Sequence, residues 1–217
     1  VCRFFFLILI IPFCGAKLRA QYNPADTFRI YLKKKPSLYF SMDGRNSFVR
    51  DRPAIIDGAR IGLSYGGKIR LLAGIYDLRF PIYRVYKYKA GTPEEEWRTQ
   101  RSDFTYVSFT CDYVVYNQKK WKLSIPVQTG IGWGSRKEWS QQGENRMDKG
   151  FAFIPLDISL SANYRIFPWL YAGGGLGYRY ALFSTTISSD FSAPIYTYGI
   201  GIDIAYLYAE YLKKSLK

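Results

Sequence analysis

The chain has 217 residues, the length of one ordinary domain, and a formal charge of +14 from 31 Lys and Arg against 17 Asp and Glu. It contains no histidine, which excludes imidazole both as a catalytic base and as a metal ligand. Hydrophobic content is 48% but mean hydropathy is −0.16, so a helical membrane protein is excluded and the apolar residues are interleaved with polar ones. Enrichment in Tyr (20), Phe (15) and Gly (19) suits strands with bulky groups on one face and close backbone approach on the other.

Residues 1–20 read as a secretory signal: Arg3, the apolar run Phe4 to Phe13, then Gly15 to Ala20 with a small residue before Gln21. A membrane anchor would need roughly 20 apolar residues. Cys14 invites a lipoprotein reading, but Phe13 stands where that signal needs a small residue. Cleavage removes Arg3, Lys17 and Arg19 with no acid, so the charge falls from +14 to +11. It also removes Cys2 and Cys14, leaving Cys111 without an intrachain disulfide partner. Residues 21–35 form a short N-terminal segment ending in Lys33-Lys34-Lys35.

Beyond this point alternation with a period of two recurs, which is the signature of half-buried strands. Residues 38–43 set Leu38, Phe40 and Met42 against Tyr39, Ser41 and Asp43. Residues 59–65 set Ala59, Ile61, Leu63 and Tyr65 against Arg60, Gly62 and Ser64, and 69–75 set Ile69, Leu71, Ala73 and Ile75 against Arg70, Leu72 and Gly74. Residues 105–115 carry Val107, Phe109, Cys111, Tyr113 and Val115 opposite Tyr106, Ser108, Thr110 and Asp112. Residues 121–133 place Trp121, Leu123, Ile125, Val127, Ile131 and Trp133 opposite Lys122, Ser124, Gln128 and two glycines. The cleanest run, 152–164, opposes Ile154, Leu156, Ile158 and Leu160 to Phe153, Pro155, Asp157 and Ser159. Residues 170–182 oppose Leu176, Tyr178 and Tyr180 to Gly173, Gly175, Gly177 and Arg179. Residues 196–208 oppose Tyr196, Tyr198, Ile200, Ile202, Ile204, Tyr206 and Tyr208 to Gly199, Gly201, Asp203 and Ala205.

The connections alternate in length. Gly66-Gly67, Asn117 to Lys119 and Arg165 to Pro168 are short, whereas 44–54, 79–103, 134–150 and 184–195 are long. Short turns on one side and long loops on the other, with an even strand number, describe an outer-membrane barrel. The expected fold is therefore all-β: an eight-stranded antiparallel transmembrane up-and-down β-barrel over 36–212, with a basic tail at 213–217 and both termini in the periplasm. A soluble barrel would reverse the polarity, apolar inside and charged outside. Here the apolar faces carry almost no charge, and aromatic girdles are expected at Tyr65, Trp121, Tyr164 and Trp169 on one rim and Trp133, Tyr180 and Tyr196 on the other.

On these alternating runs and loop lengths, the chain resembles the small outer-membrane β-barrel families that include the OmpA transmembrane barrel and OmpX. Gln21 after the cut and the segment RNSFV, Arg45 to Val49, look like outer-membrane barrels of Bacteroidota. The resemblance implies engagement with the barrel-assembly machinery, which in such families reads a terminal aromatic residue. This chain ends in Lys213-Lys214-Ser215-Leu216-Lys217, so Tyr208 or Tyr211 would have to serve.

The inward faces bring Asp43, Arg60, Arg70, Asp112, Lys122, Asp157, Arg179 and Asp203 into one bore, four acids with four bases. Unpaired charge there is costly, so a mutually paired plug is expected; an ion-conducting bore or a carboxylate pair in acid–base work are the alternatives. Enzymes on outer-membrane barrels, such as lipid A acyltransferases and deacylases, phospholipases and omptin proteases, resemble one another in using a histidine base, which this chain lacks. The run Ala172 to Gly177 lacks the Lys-Ser/Thr ending of a phosphate loop and reads as strand. The segment 79–103 alternates tyrosine with base, and Arg84, Tyr86, Lys87, Tyr88, Lys89 and Trp97 form a candidate binding surface for lipopolysaccharide phosphate or polysaccharide. The same residues also fit a self-paired soluble ribbon. No cofactor and no nucleic-acid partner is expected. The partners expected are outer-membrane lipid and lipopolysaccharide, the assembly machinery and an envelope protein. The expected role is a non-enzymatic barrel displaying surface loops, with a small channel or transporter as the alternative.

Overall fold

The structure, a computed structural model, describes residues 24–49, 52–93, 95–182 and 191–215. The signal segment 1–20 and most of the connection 184–195 lie outside the described residues. Helix α1 (Pro24–Leu32) precedes nine strands: β1 (Pro36–Val49), β2 (Arg52–Tyr65), β3 (Ile69–Leu78), β4 (Ile82–Tyr88), β5 (Glu96–Gln118), β6 (Trp121–Ser140), β7 (Asn145–Phe167), β8 (Leu170–Leu182) and β9 (Ala193–Asp203). A second helix, α2 (Ile204–Ser215), follows. All pairings are antiparallel between sequence neighbours, except that β1 also pairs with β9 and β3 with β5, so the sheet closes on itself.

The nine strands make eight staves. β3 and β4 lie along the same partner, β5, in registers Arg70↔Asp112 and Ile82↔Ser102. Between them the sequence Arg79-Phe80-Pro81 interrupts the ladder, because Pro81 has no N–H to donate. The upper part of this stave restarts at Ile82.

The wall is apolar outside. Leu176 is 73% exposed and Ile131 63%, while Arg179 and Asp157 on the alternate parity are 2% exposed. From Trp121 to Trp133 there are twelve residue steps. At about 3.3 Å each and a tilt near 40°, they span about 30 Å, the thickness of a hydrocarbon core.

Much of three of the expected long connections, 44–54, 79–103 and 134–150, is strand. β5 and β7 have 23 residues each and β6 has 20, about twice what a tilted membrane strand requires. The segments expected as loops at 79–103 and 134–150 thus hold all of β4 and the upper ends of β5, β6 and β7, a ribbon projecting past the barrel rim. Likewise β1 extends to Val49 and takes in Arg45.

The C-terminal end differs from expectation. The alternation ends at Asp203, and Ile204 to Ser215 are helical, so Ile204, Tyr206 and Tyr208 are not strand residues and the barrel does not reach residue 212. Asp203 accepts a bond from the Tyr206 N–H at 3.5 Å, as helix-capping aspartates do. The apolar positions 204, 207, 208, 211 and 212 then fall on one helical stripe. The segment 21–35 also contains structure. α1 starts on Pro24 and lies against the outside of the barrel, Phe28 stacking on Tyr113 at 5.7 Å, and Ile69 beside it is buried rather than exposed on the wall.

The turn between β2 and β3 needs left-handed backbone at two successive positions, φ +56° at Gly66 and +66° at Gly67. Inside the bore glycine serves a different purpose. A β-carbon on Gly132 would sit 2.4 Å from the Phe153 ring on the neighbouring strand. Gly132→Val is expected to cost about 1–3 kcal/mol by overpacking. A lower temperature for the folded-to-unfolded band shift on a denaturing gel would record it, and an unchanged temperature would refute the assigned contact.

Candidate functional site: the filled bore and the projecting ribbon

Every inward strand position points at the same narrow axis, so the eight charges expected there are brought into one lumen in two layers. In the upper layer Arg45 is the hub. Its Nε donates to Asp43 Oδ2 at 2.9 Å, one terminal nitrogen to Asp157 Oδ2 at 2.8 Å, and the other to the Tyr76 hydroxyl at 2.9 Å and to Gln128 Oε1. Arg179 holds Asp157 through two bonds of 2.8 Å and also donates to the Tyr106 hydroxyl at 2.9 Å. Tyr76 donates to Asp43 at 2.9 Å and stacks on Tyr106 at 4.9 Å. Arg60 Nε approaches Asp43 Oδ1 to 3.0 Å. The network therefore ties together β1, β2, β3, β5, β6, β7 and β8 across the bore.

Arg45 was absent from the expected set because residues 44–54 read as a loop. The signal was available: 39, 41, 43, 45 and 47 share one parity, and Arg45 is its strongest polar member.

The lower layer lies toward the short turns. Arg70 pairs with Asp112, donates to Ser124 Oγ at 3.3 Å and lies 4.7 Å from the Tyr39 ring centre. Lys122 and Asp203 depart from the expectation of mutual pairing. Lys122 sits over the Tyr171 ring at 3.9 Å, while Asp203 caps α2. Above the charged layers the bore is closed by carbon. Phe104, Phe153 and Phe191 meet with ring centres 5.1 to 5.5 Å apart, backed by Ile56, Leu78 and Ala181. Phe191 enters from the connection before β9. The sequence reading of the plug as purely ionic missed this apolar upper half, although Phe151 and Phe153 share the parity of Asp157.

The ribbon divides the residues expected to form one binding surface. Register with β5 puts Arg84, Tyr86 and Tyr88 opposite Gln100, Arg98 and Glu96 on the bore-side face. Lys87 and Trp97 lie on the outer face, where Lys87 Nζ is 5.1 Å from the Trp97 ring centre. Lys89 belongs to the turn, with φ +48°. Ion pairs run through the ribbon: Lys87 to Glu95 at 2.6 Å, Arg98 to Glu96 at 3.1 Å, Lys137 to Asp148 at 3.3 Å and Arg146 to Glu144 at 2.8 Å. Arg98 also covers the Tyr88 ring at 3.5 Å. Burial, with a bond to Glu138, pushes the Tyr86 hydroxyl up to about 12. No group of three or more metal-ligating side chains occurs among the described residues.

The ribbon is where pH acts. A hydrogen bond from Lys87 and one from the Gly91 N–H hold Glu95 below the ordinary glutamate value of 4.5, and Arg98 does the same for Glu96. A lowered folded-state value means the contribution is present above the unfolded value and lost as pH falls through the folded one. Glu95 is exposed and Glu96 half-buried, and the effect is local. Amide exchange is expected to show the tip residues 87–96 losing protection below about pH 4 while the barrel strands keep theirs; equal loss in both would contradict this.

Asp157 joins Arg45 and Arg179, so Asp157→Asn leaves two buried guanidinium groups short of a counter-charge. A loss of about 3–5 kcal/mol is expected, read as a lower band-shift temperature. An unchanged temperature would show that the network does not bind the staves together.

No family model matches the sequence, and no curated protein matches it. Solved structures do. The crystal structure of Neisserial surface protein A superposes with a TM-score of 0.57 at 12% identity, covering 78% of this chain and 99% of that one. A major outer membrane protein from Thermus thermophilus superposes with a TM-score of 0.51 at 11% identity, covering 76% of this chain and 99% of that one. At such identities the likeness is one of fold: an antiparallel barrel of the small outer-membrane type.

Proposed function

We propose that this protein is a non-enzymatic integral outer-membrane barrel whose sealed bore serves as a pedestal for the projecting β4–β7 ribbon. The observation that carries the reading is the combination of a bore filled at two levels with strands twice the length a membrane needs. A channel has no use for guanidinium groups bonded across both charged layers of its lumen under a layer of packed aromatic rings. An isolated barrel, in turn, has no use for the extra backbone that β5 to β7 order above the rim.

The outer face of the ribbon supports a contact role. Tyr83, Val85 and Trp97 are exposed there, and Val85, Trp97, Thr99 and Gln141 frame a hollow of about 330 Å³. Exposed aromatic faces beside a hydroxyl and an amide suit saccharide, which stacks its C–H face on a ring and bonds its hydroxyls to the edge. Lys87, Arg98, Lys137 and Arg146 are engaged by the ribbon's own acids, which leaves them less available to a phosphate. The saccharide of the surrounding lipopolysaccharide is the partner this surface fits.

Planar-bilayer recording tests the sealed bore. The purified barrel is expected to insert without steady conductance steps. Steps of one defined size would overturn the reading in favour of a small channel.

A further inference from the structure

Between the two charged layers the bore holds a pocket of about 50 Å³, bordered among others by Ser41, Asp43, Arg45, Arg60, Arg70 and Asp112. Such a volume exceeds what one water needs, about 10–15 Å³ on the same measure. Its wall presents polar atoms with no hydrogen-bond partner: Ser41 Oγ, Arg60 Nε and Arg70 Nε as donors, and Asp112 Oδ1 as an acceptor. Ser41 is 4% exposed and Arg70 3%, and the Arg60 Nε atom is buried as well. Arg60 Nε lies near Asp43, but its N–H is not aligned with the carboxylate. Ser41 stands directly opposite Arg60 across the β1–β2 ladder.

The charges around the cavity do not balance. The ion pairs run as an alternating chain, Arg60 to Asp43 to Arg45 to Asp157 to Arg179, which begins and ends on arginine. Arg70 with Asp112 is a separate neutral pair. The four guanidinium groups, which remain protonated at any working pH, thus face three carboxylates, and Lys122 with Asp203 in the lower layer adds one charge of each sign. One positive charge is left over, and its Arg60 end borders the cavity.

We infer that the cavity is a binding site for one small monovalent anion of halide size, held by Ser41 Oγ and the Nε–H groups of Arg60 and Arg70. A buried uncompensated charge is expensive, and water alone would satisfy the donors without removing it. An anion does both. The remaining space takes a water that donates to Asp112 Oδ1. The site makes the lumen electrically neutral, so the anion is part of the fold's stability.

The test uses the intact barrel in detergent with bromide as the probe. Crystals grown in bromide are expected to show an anomalous peak inside the cavity, within contact distance of Ser41 and Arg60. The band-shift midpoint is expected to be about 2–4 °C higher in bromide or chloride than in gluconate, which is too large to enter, at equal ionic strength. Arg60→Met makes the count three against three, so the anion dependence should vanish. Ser41→Ala, a milder change that keeps every charge, should reduce the dependence even if Arg60→Met does not fold. The inference is overturned by a cavity holding water alone in bromide crystals. It is equally overturned if either folded variant keeps the full anion dependence, which would place the effect on the basic exterior.

Discussion

Backbone closure is the constraint from which the rest of this structure follows. An extended chain in hydrocarbon has no water to satisfy its N–H and C=O groups, so each strand must find two partners and the sheet must return to its start. The β1–β9 ladder, with Met42 facing Ile200, and the β3–β5 ladder, with Arg70 facing Asp112, complete that ring. Once closed, the ring has an inside and an outside, and the two-residue period assigns every side chain to one of them. Eight staves leave a bore too narrow for bulk water. Large inward groups such as Phe153 therefore face small ones such as Gly132, and inward charges must find each other.

That necessity explains why the bore looks as it does. The arginine–aspartate chain crosses the lumen and, with Tyr76, Tyr106 and Gln128, ties seven of the eight staves together, while the aromatic layer lies above the charges. In such surroundings each ionic bond is strong and each missing one is costly. On the function proposed, the bore serves stability. On the same proposal, interaction with the outside falls to the ribbon, which is built by letting β5, β6 and β7 continue after the membrane has been crossed.

Most of the barrel was legible because its signal is a repeated one. Alternation in β6, β7 and β8 gave strand identity and facing, and the Gly66-Gly67 pair gave a turn whose chirality the strands require. What was not legible involved competition between local signals. Ile204, Tyr206 and Tyr208 continue the alternation of β9, yet Ile204, Leu207, Tyr208, Tyr211 and Leu212 also follow helical spacing. The helix prevails because Asp203 caps it and no further partner strand is needed once the membrane has been crossed. Arg45 was hidden by the polar residues Asn46 and Ser47, which imitate a loop. Ion pairs such as Lys137 to Asp148 and Arg146 to Glu96 join residues on different strands, and one strand's sequence holds no record of its neighbour's register.

The most direct measurement of the central idea is a nitroxide scan along β7 in lipid bilayers, from Leu156 to Leu160. Accessibility to oxygen should be high at Leu156, Ile158 and Leu160 and low at Asp157 and Ser159, with a water-soluble relaxant excluded throughout. A flat profile, or entry of the water-soluble relaxant at the apolar positions, would contradict a closed ring with a lipid-facing wall.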